Sequence, residues 1–244
     1  MESQVRDESK SEFNLLLGCT GSVASLKIPL LLDEIQAYSS VKNVIVHVRL
    51  IPTKHSTHFF DLSAVQSHPL LQDSVHSPPL PLDAVNSDSP PERAVNSHPR
   101  LQGVITDEDE WTSWQSRGDP VSHIEHRKWA DALLIAPLGT NTLAKLATGI
   151  CDNLLTCVVR AWDIKACREG RKPVMFAPAM NTCMWNHPVT EEQIRKLASF
   201  GFEEIPPIEK MLASGDKGAG AMEECRHIAE KIVDRLLILK RDDG

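Results

Sequence analysis

The sequence predicts an α/β protein with a doubly wound parallel sheet, and three observations predict it. Short apolar, β-branched runs alternate with segments of helical periodicity along most of the chain. Three of those runs pass directly into turns rich in glycine, hydroxyl and amide residues. The composition, 244 residues with 41% hydrophobic and 24% charged, suits one globular domain and excludes a disordered chain or a bundle of membrane spans. The formal charge of −7 argues against a nucleic-acid groove. No apolar run approaches the ~18 residues that a bilayer requires. Six scattered cysteines without a C-x-x-C pair, and a polar N-terminus, point to a reducing, cytoplasmic setting with no zinc site.

Residues 1–12 read as a polar tail and 13–240 as the folded domain. Phe13–Leu17 is a buried strand that enters the turn Gly18–Ala24, and Leu26, Leu30, Leu31 and Ile35 then recur at helical spacing. Val44, Val46 and Val48 mark a second strand. A ten-residue repeat follows: Ala64-Val65-Gln66-Ser67, Ser74-Val75-His76-Ser77, Ala84-Val85-Asn86-Ser87 and Ala94-Val95-Asn96-Ser97, each trailed by proline. Units this short and this rich in proline and serine cannot build a core, so 62–101 reads as a low-complexity loop insertion in a single domain. Folding resumes at Val104, and Trp111 and Trp114 sit by the acidic stretch Asp107–Glu110. Beyond it the pattern predicts a helix over Ser122–Ala130, a strand over Ala132–Pro137, and helices over Asn141–Thr148 and Leu154–Trp162. A strand over Val174–Ala177, a helix over Thr190–Ser199 and a short strand over Phe202–Ile205 come next. A glycine-rich loop, Met211–Gly220, and a terminal amphipathic helix, Glu223–Leu239, complete the chain.

In such sheets ligands bind at the carboxyl ends of the strands, so the turns 18–24, 137–142 and 178–185 carry the functional expectation. In the first, Gly21 permits close backbone approach, Ser22 supplies a hydroxyl, and the helix start attracts an anion such as phosphate. G-x-G-x-x-G is absent, and the second strand runs into Arg49–His55 with no acidic residue for a ribose, which suits a mononucleotide phosphate better than a dinucleotide. The second turn, Pro137–Thr142, again places a polar cluster at a helix start, where Thr140 or Asn141 also reads as a plain N-cap. The third, Pro178–Trp185, crowds two methionines, an amide and a tryptophan into one connection. Such groups suit a flat, polarizable cofactor and a carboxylate, or else a loop held in a subunit interface.

Together with His123-Ile124-Glu125, Asp152–Thr156, Gly215-Asp216 and Gly220-Ala221-Met222, these turns resemble the homo-oligomeric flavin-containing cysteine decarboxylase family. Within it the match is to the coenzyme A branch that includes plant halotolerance proteins. The resemblance implies a flavodoxin-like (Rossmann-like) sheet, FMN, and a homotrimer with sites between subunits. It also implies conversion of 4'-phosphopantothenoylcysteine to 4'-phosphopantetheine. The cysteinyl end is oxidised to a thioaldehyde, carbon dioxide leaves into that electron sink, and the enethiol is reduced. By the same resemblance His123 is the catalytic base, and Asn181 holds the substrate carboxylate with Met184 beside it in the substrate site. Gly21, Ser22 and Val23 hold the FMN phosphate, and His55, Ser56, Gly139, Thr140, Asn141, Thr142 and Ala179 are further flavin contacts. Met211, Leu212, Ala213 and Ser214 belong to a flap over the substrate.

Three positions depart from the family pattern. Gly139 stands where serine is usual, and Met211 where some relatives have a basic residue. Ser214 stands where active relatives carry the cysteine that protonates the enethiol. A thiol titrates near pH ~8.5 and an alkanol hydroxyl is a far weaker acid. Three outcomes stay open: a decarboxylase that finishes slowly or borrows Cys183 as acid, a subunit of a mixed trimer whose partner supplies the cysteine, or a flavin-binding interaction protein. The retained His123 and Asn181 argue against a fully decayed site.

Overall fold

The computed structural model describes residues 10–72, 103–211 and 217–242. Five parallel strands, β1 (Ser11–Cys19), β2 (Val44–Pro52), β3 (Ala132–Leu138), β4 (Val174–Pro178) and β5 (Glu203–Glu204), form one sheet in the order 2-1-3-4-5. That is the flavodoxin-like order, in which the chain leaves β1 on one side for β2 and returns on the other as β3. Two further strands, β6 (Ile208–Met211) and β7 (Lys217–Ala221), pair antiparallel as a separate ribbon.

The helices of the first half are α1 (Ile28–Val41), α2 (Leu62–Gln66), α3 (Pro69–Gln72), α4 (Asp107–Ser113) and α5 (Ser122–Trp129). The second half adds α6 (Thr140–Thr148), α7 (Leu154–Arg160), α8 (Ile164–Arg168), α9 (Thr182–Trp185), α10 (Pro188–Ser199) and α11 (Cys225–Asp242). The pleat of β1 separates two cores. Leu15, Leu17 and Cys19 join Leu31 and Ile35 of α1 and Ile228, Ile232 and Leu236 of α11 on one face. Leu16 joins Leu133 and Ile135 of β3, Leu143 of α6, Leu155 of α7 and Leu197 of α10 on the other. Each such leucine contributes about 1.5–3 kcal/mol by leaving water. With both faces covered, β1 and β3 read as continuous apolar runs, which is why the sequence shows them so clearly.

The structure moves several boundaries. The insertion expected over 62–101 begins later, because its first repeat copy folds as α2 and α3. Asp61 caps α2 through Ser63 N–H at 2.9 Å, and Val65 and Leu71 are 2% and 1% exposed against the core. Residues 73–101 lie outside the described residues. The glycine-rich segment expected as a loop over 211–220 supplies strand residues at both ends, and 212–216 lie outside the described residues. Of the four apolar residues noted at helical spacing, Leu26 and Leu30 are exposed, and Ile28, Leu31, Leu32 and Ile35 form the buried stripe of α1. Helix α4 was not expected at all, its acidic sequence having no apolar face. Among the described residues no helix is long and apolar enough to cross a membrane.

Candidate active site

The three turns meet at the carboxyl edge of the sheet, where the strand order switches side between β1 and β3. Thr20, fully buried at the end of β1, is the stitch. Its hydroxyl donates to Pro137 O at 2.9 Å and accepts from Gly139 N–H at 2.7 Å, fastening the first turn to the second. Ser22 reaches the third turn, its hydroxyl donating to Ala179 O at 3.3 Å, while Ala179 N–H donates to Leu138 O at 3.0 Å. The segment after β2 closes the fourth side. Thr53 N–H donates to Cys19 O at 2.8 Å, and a Cβ on Gly21 would stand 3.0 Å from that of His55.

Each turn opens a helix. Ser22 caps the short 3-10 turn Val23–Lys27, accepting from Ala24 N–H. Gly139 is the N-cap of α6, so neither Thr140 nor Asn141 plays that part, and no side chain caps the helix. The N–H groups of its first turn therefore keep the polar, electropositive character of a helix start. Asn181 caps α9, its Oδ1 accepting from Cys183 N–H at 2.8 Å. Met184 and Val23 are exposed, whereas Ala179 and Thr142 are buried. Ser56 is fully buried with its hydroxyl donating to Thr53 O at 2.7 Å, so in this conformation it shapes the loop that carries exposed His55. Burial pushes the Cys19 thiol up to about 12, which keeps it protonated beside the site. The antiparallel ribbon adjoins the third turn: Met180 N–H donates to Gly220 O at 2.8 Å. A Cβ on Gly220, whose φ is +115°, would lie 2.5 Å from Met180 O, so only glycine fits.

His123 stands apart from this cluster in its hydrogen bonding. It lies in the first turn of α5, and its Nδ1 pairs with Glu110 Oε1 of α4. Met211 ends β6, and Leu212, Ala213 and Ser214 lie outside the described residues. Sequence reasoning missed Thr20 and Glu110. A threonine inside the first glycine turn, next to Gly21, was a signal for the first; nothing in the acidic run marked which carboxylate turns inward.

A family model with the description Flavoprotein matches residues 3–237. The chain belongs to the flavoprotein family. Over 221 residues this flavoprotein is 40% identical to phosphopantothenoylcysteine decarboxylase of Mus musculus, covering 91% of the chain and 86% of that relative. A solved PPC decarboxylase, a Cys→Ser variant complexed with pantothenoylaminoethenethiol, superposes with a TM-score of 0.68 at 41% identity, covering 91% of this chain and 96% of that one. The FMN binding protein AtHal3 follows with a TM-score of 0.65 at 40% identity, covering 90% and 94%. Identity at this level over nearly the whole length places the flavoprotein's turns in the same fold context as theirs.

Proposed function

We propose that this flavoprotein carries out the FMN-dependent decarboxylation of 4'-phosphopantothenoylcysteine to 4'-phosphopantetheine in coenzyme A biosynthesis. The observation that carries the reading is the convergence of three helix-opening turns at the β1/β3 switch point, stitched by Thr20 and Ser22. The donor set fits a flavin mononucleotide. The turns contain hydroxyls, two amides and backbone N–H groups but no carboxylate, as a phosphate requires, and α6 opens on an N-terminus that no side chain caps. Gly21, Ser22 and Val23 would hold the phosphate; His55, Ser56, Gly139, Thr140, Asn141, Thr142 and Ala179 would frame the rest. FMN, when bound, supplies a two-electron acceptor and donor.

The chain's own residues supply the remainder. The Asn181 amide, oriented through its cap on α9, presents a donor to the substrate carboxylate, with Met184 beside it. The His123 imidazole, whose Nδ1 faces Glu110, exchanges a proton with the cysteinyl end through Nε2. The family resemblance carries a homotrimer with sites between subunits into this reading. The free cysteines support a cytoplasmic setting.

Ser214 favours one refinement: protonation of the enethiol is the slow step, completed by the chain itself or by a cysteine from another subunit in a mixed trimer. The solved relative with a Cys→Ser change is complexed with an enethiol, pantothenoylaminoethenethiol. In a single turnover of 4'-phosphopantothenoylcysteine the protein should release a burst of carbon dioxide, at most one per flavin, well ahead of 4'-phosphopantetheine, and Ser214→Cys should raise product formation severalfold. Carbon dioxide and 4'-phosphopantetheine appearing together, with no burst, would refute the refinement. Absence of carbon dioxide from flavin-loaded protein would refute the function and leave an interaction protein.

A further inference from the structure

The run Asp107–Glu110 reads in sequence as a solvated acidic patch, but in the structure its members part ways. Asp109 closes a capping box, its Oδ2 accepting from Thr106 N–H at 2.7 Å. Asp107 and Glu110 share the protein-facing side of α4, three residues apart, while Glu108 and Trp111 face solvent. Asp107 Oδ1 accepts from Leu154 N–H at 2.8 Å and so ties α4 to the start of α7. Glu110, with a side chain only 11% exposed, meets Nδ1 of His123 on α5. Its charge also reaches α7: the Cys157 thiol is pushed up to about 11, by burial first and then by the Glu110 carboxylate. A carboxylate turned inward at such a junction needs a partner, and the imidazole is the partner it has.

We propose that Glu110 is a positioning residue for His123. An ionised carboxylate can only accept, so the proton of the neutral imidazole sits on Nδ1 and the lone pair on Nε2. The pairing also fixes the ring plane, because α4 is held at both ends of its inner face, by Asp107 on α7 and by Glu110 on α5. The arrangement delivers His123 in a single tautomer with the basic nitrogen outward, the division of labour by which a buried carboxylate orients a histidine base elsewhere. The inference rests on His123 being the base of the proposed reaction.

Nitrogen-15 NMR of histidine-labelled, flavin-loaded protein tests it, with the His123 signal identified by its loss in His123→Asn. The wild type should show the Nδ1–H tautomer, and Glu110→Gln should show a mixture. An Nε2–H tautomer in the wild type would overturn the proposal whether or not the protein turns over. In a single turnover Glu110→Gln should slow the carbon dioxide burst about 10- to 100-fold, the range seen when a metal-bound histidine loses its carboxylate partner, with substrate affinity within about twofold and Glu110→Asp recovering part of the loss. An unchanged rate of the carbon dioxide burst in a variant with an altered tautomer would also overturn it. If Glu110→Gln fails to fold, Glu110→Asp carries the same two readings. No turnover by the wild type would instead defeat the function while leaving the tautomer result intact.

Discussion

At the scale of single residues, Gly139 is a departure whose consequence the geometry defines. Its φ of −80° and ψ of 161° suit any residue, and a Cβ there would meet Gly21 O and Thr20 Oγ1 at 3.4 Å, an ordinary contact. Gly139→Ser should therefore fold normally and return a hydroxyl to the uncapped start of α6. One added hydrogen bond is worth about 0.5–1.5 kcal/mol, so FMN should bind about 2- to 10-fold more tightly by fluorescence titration. A raised melting temperature with unchanged FMN affinity would mean that the hydroxyl caps the helix instead. Gly220 shows the opposite case, since backbone stands where its side chain would go. The candidate residues were legible as chemistry wherever a motif put several polar types in one turn, as in Pro178–Trp185. Thr20 and Glu110 were not legible in that way, because their roles depend on partners 117 and 13 residues away in sequence.

At the scale of elements, β1, β3 and β4 were read correctly because both sheet faces bury apolar side chains. Helix α4 escaped because capping, not periodicity, defines it. Helix α5 shows what patterning hides: its inner face carries a polar group beneath Trp129. Arg49 of β2 is 2% exposed, lies 3.9 Å from the Trp129 ring, and its Nη1 approaches His126 Nδ1 at 3.4 Å. Burial, and then the neighbouring Arg49 charge, push His126 down to about 3, from 6.5. Between those values the unfolded chain takes up a proton that the folded chain refuses. This contribution to stability is therefore whole above pH 6.5 and drains away as the pH falls toward 3. By pH 5 the loss should reach about 2 kcal/mol from this group alone. Urea unfolding at pH 7 and pH 5 should show a smaller drop for His126→Leu than for the wild type; equal drops would show that His126 does not titrate this way.

At the scale of the whole molecule, the 2-1-3-4-5 order does the decisive work, because reversal between β1 and β3 opens the crevice in which the three turns meet. The alternation of strands and helices made that architecture legible. It could not show how the repeat begins, since Val65 and Leu71 acquire a core only once β2 and α1 are in place. The central claim is that this crevice cradles FMN. Its most direct measurement is the absorption spectrum of the purified protein, with any cofactor released by heat and identified by mass, followed by titration of stripped protein with FMN. The account predicts a yellow protein carrying FMN and rebinding it near one equivalent per chain; a colourless protein that stays colourless in excess FMN would contradict it.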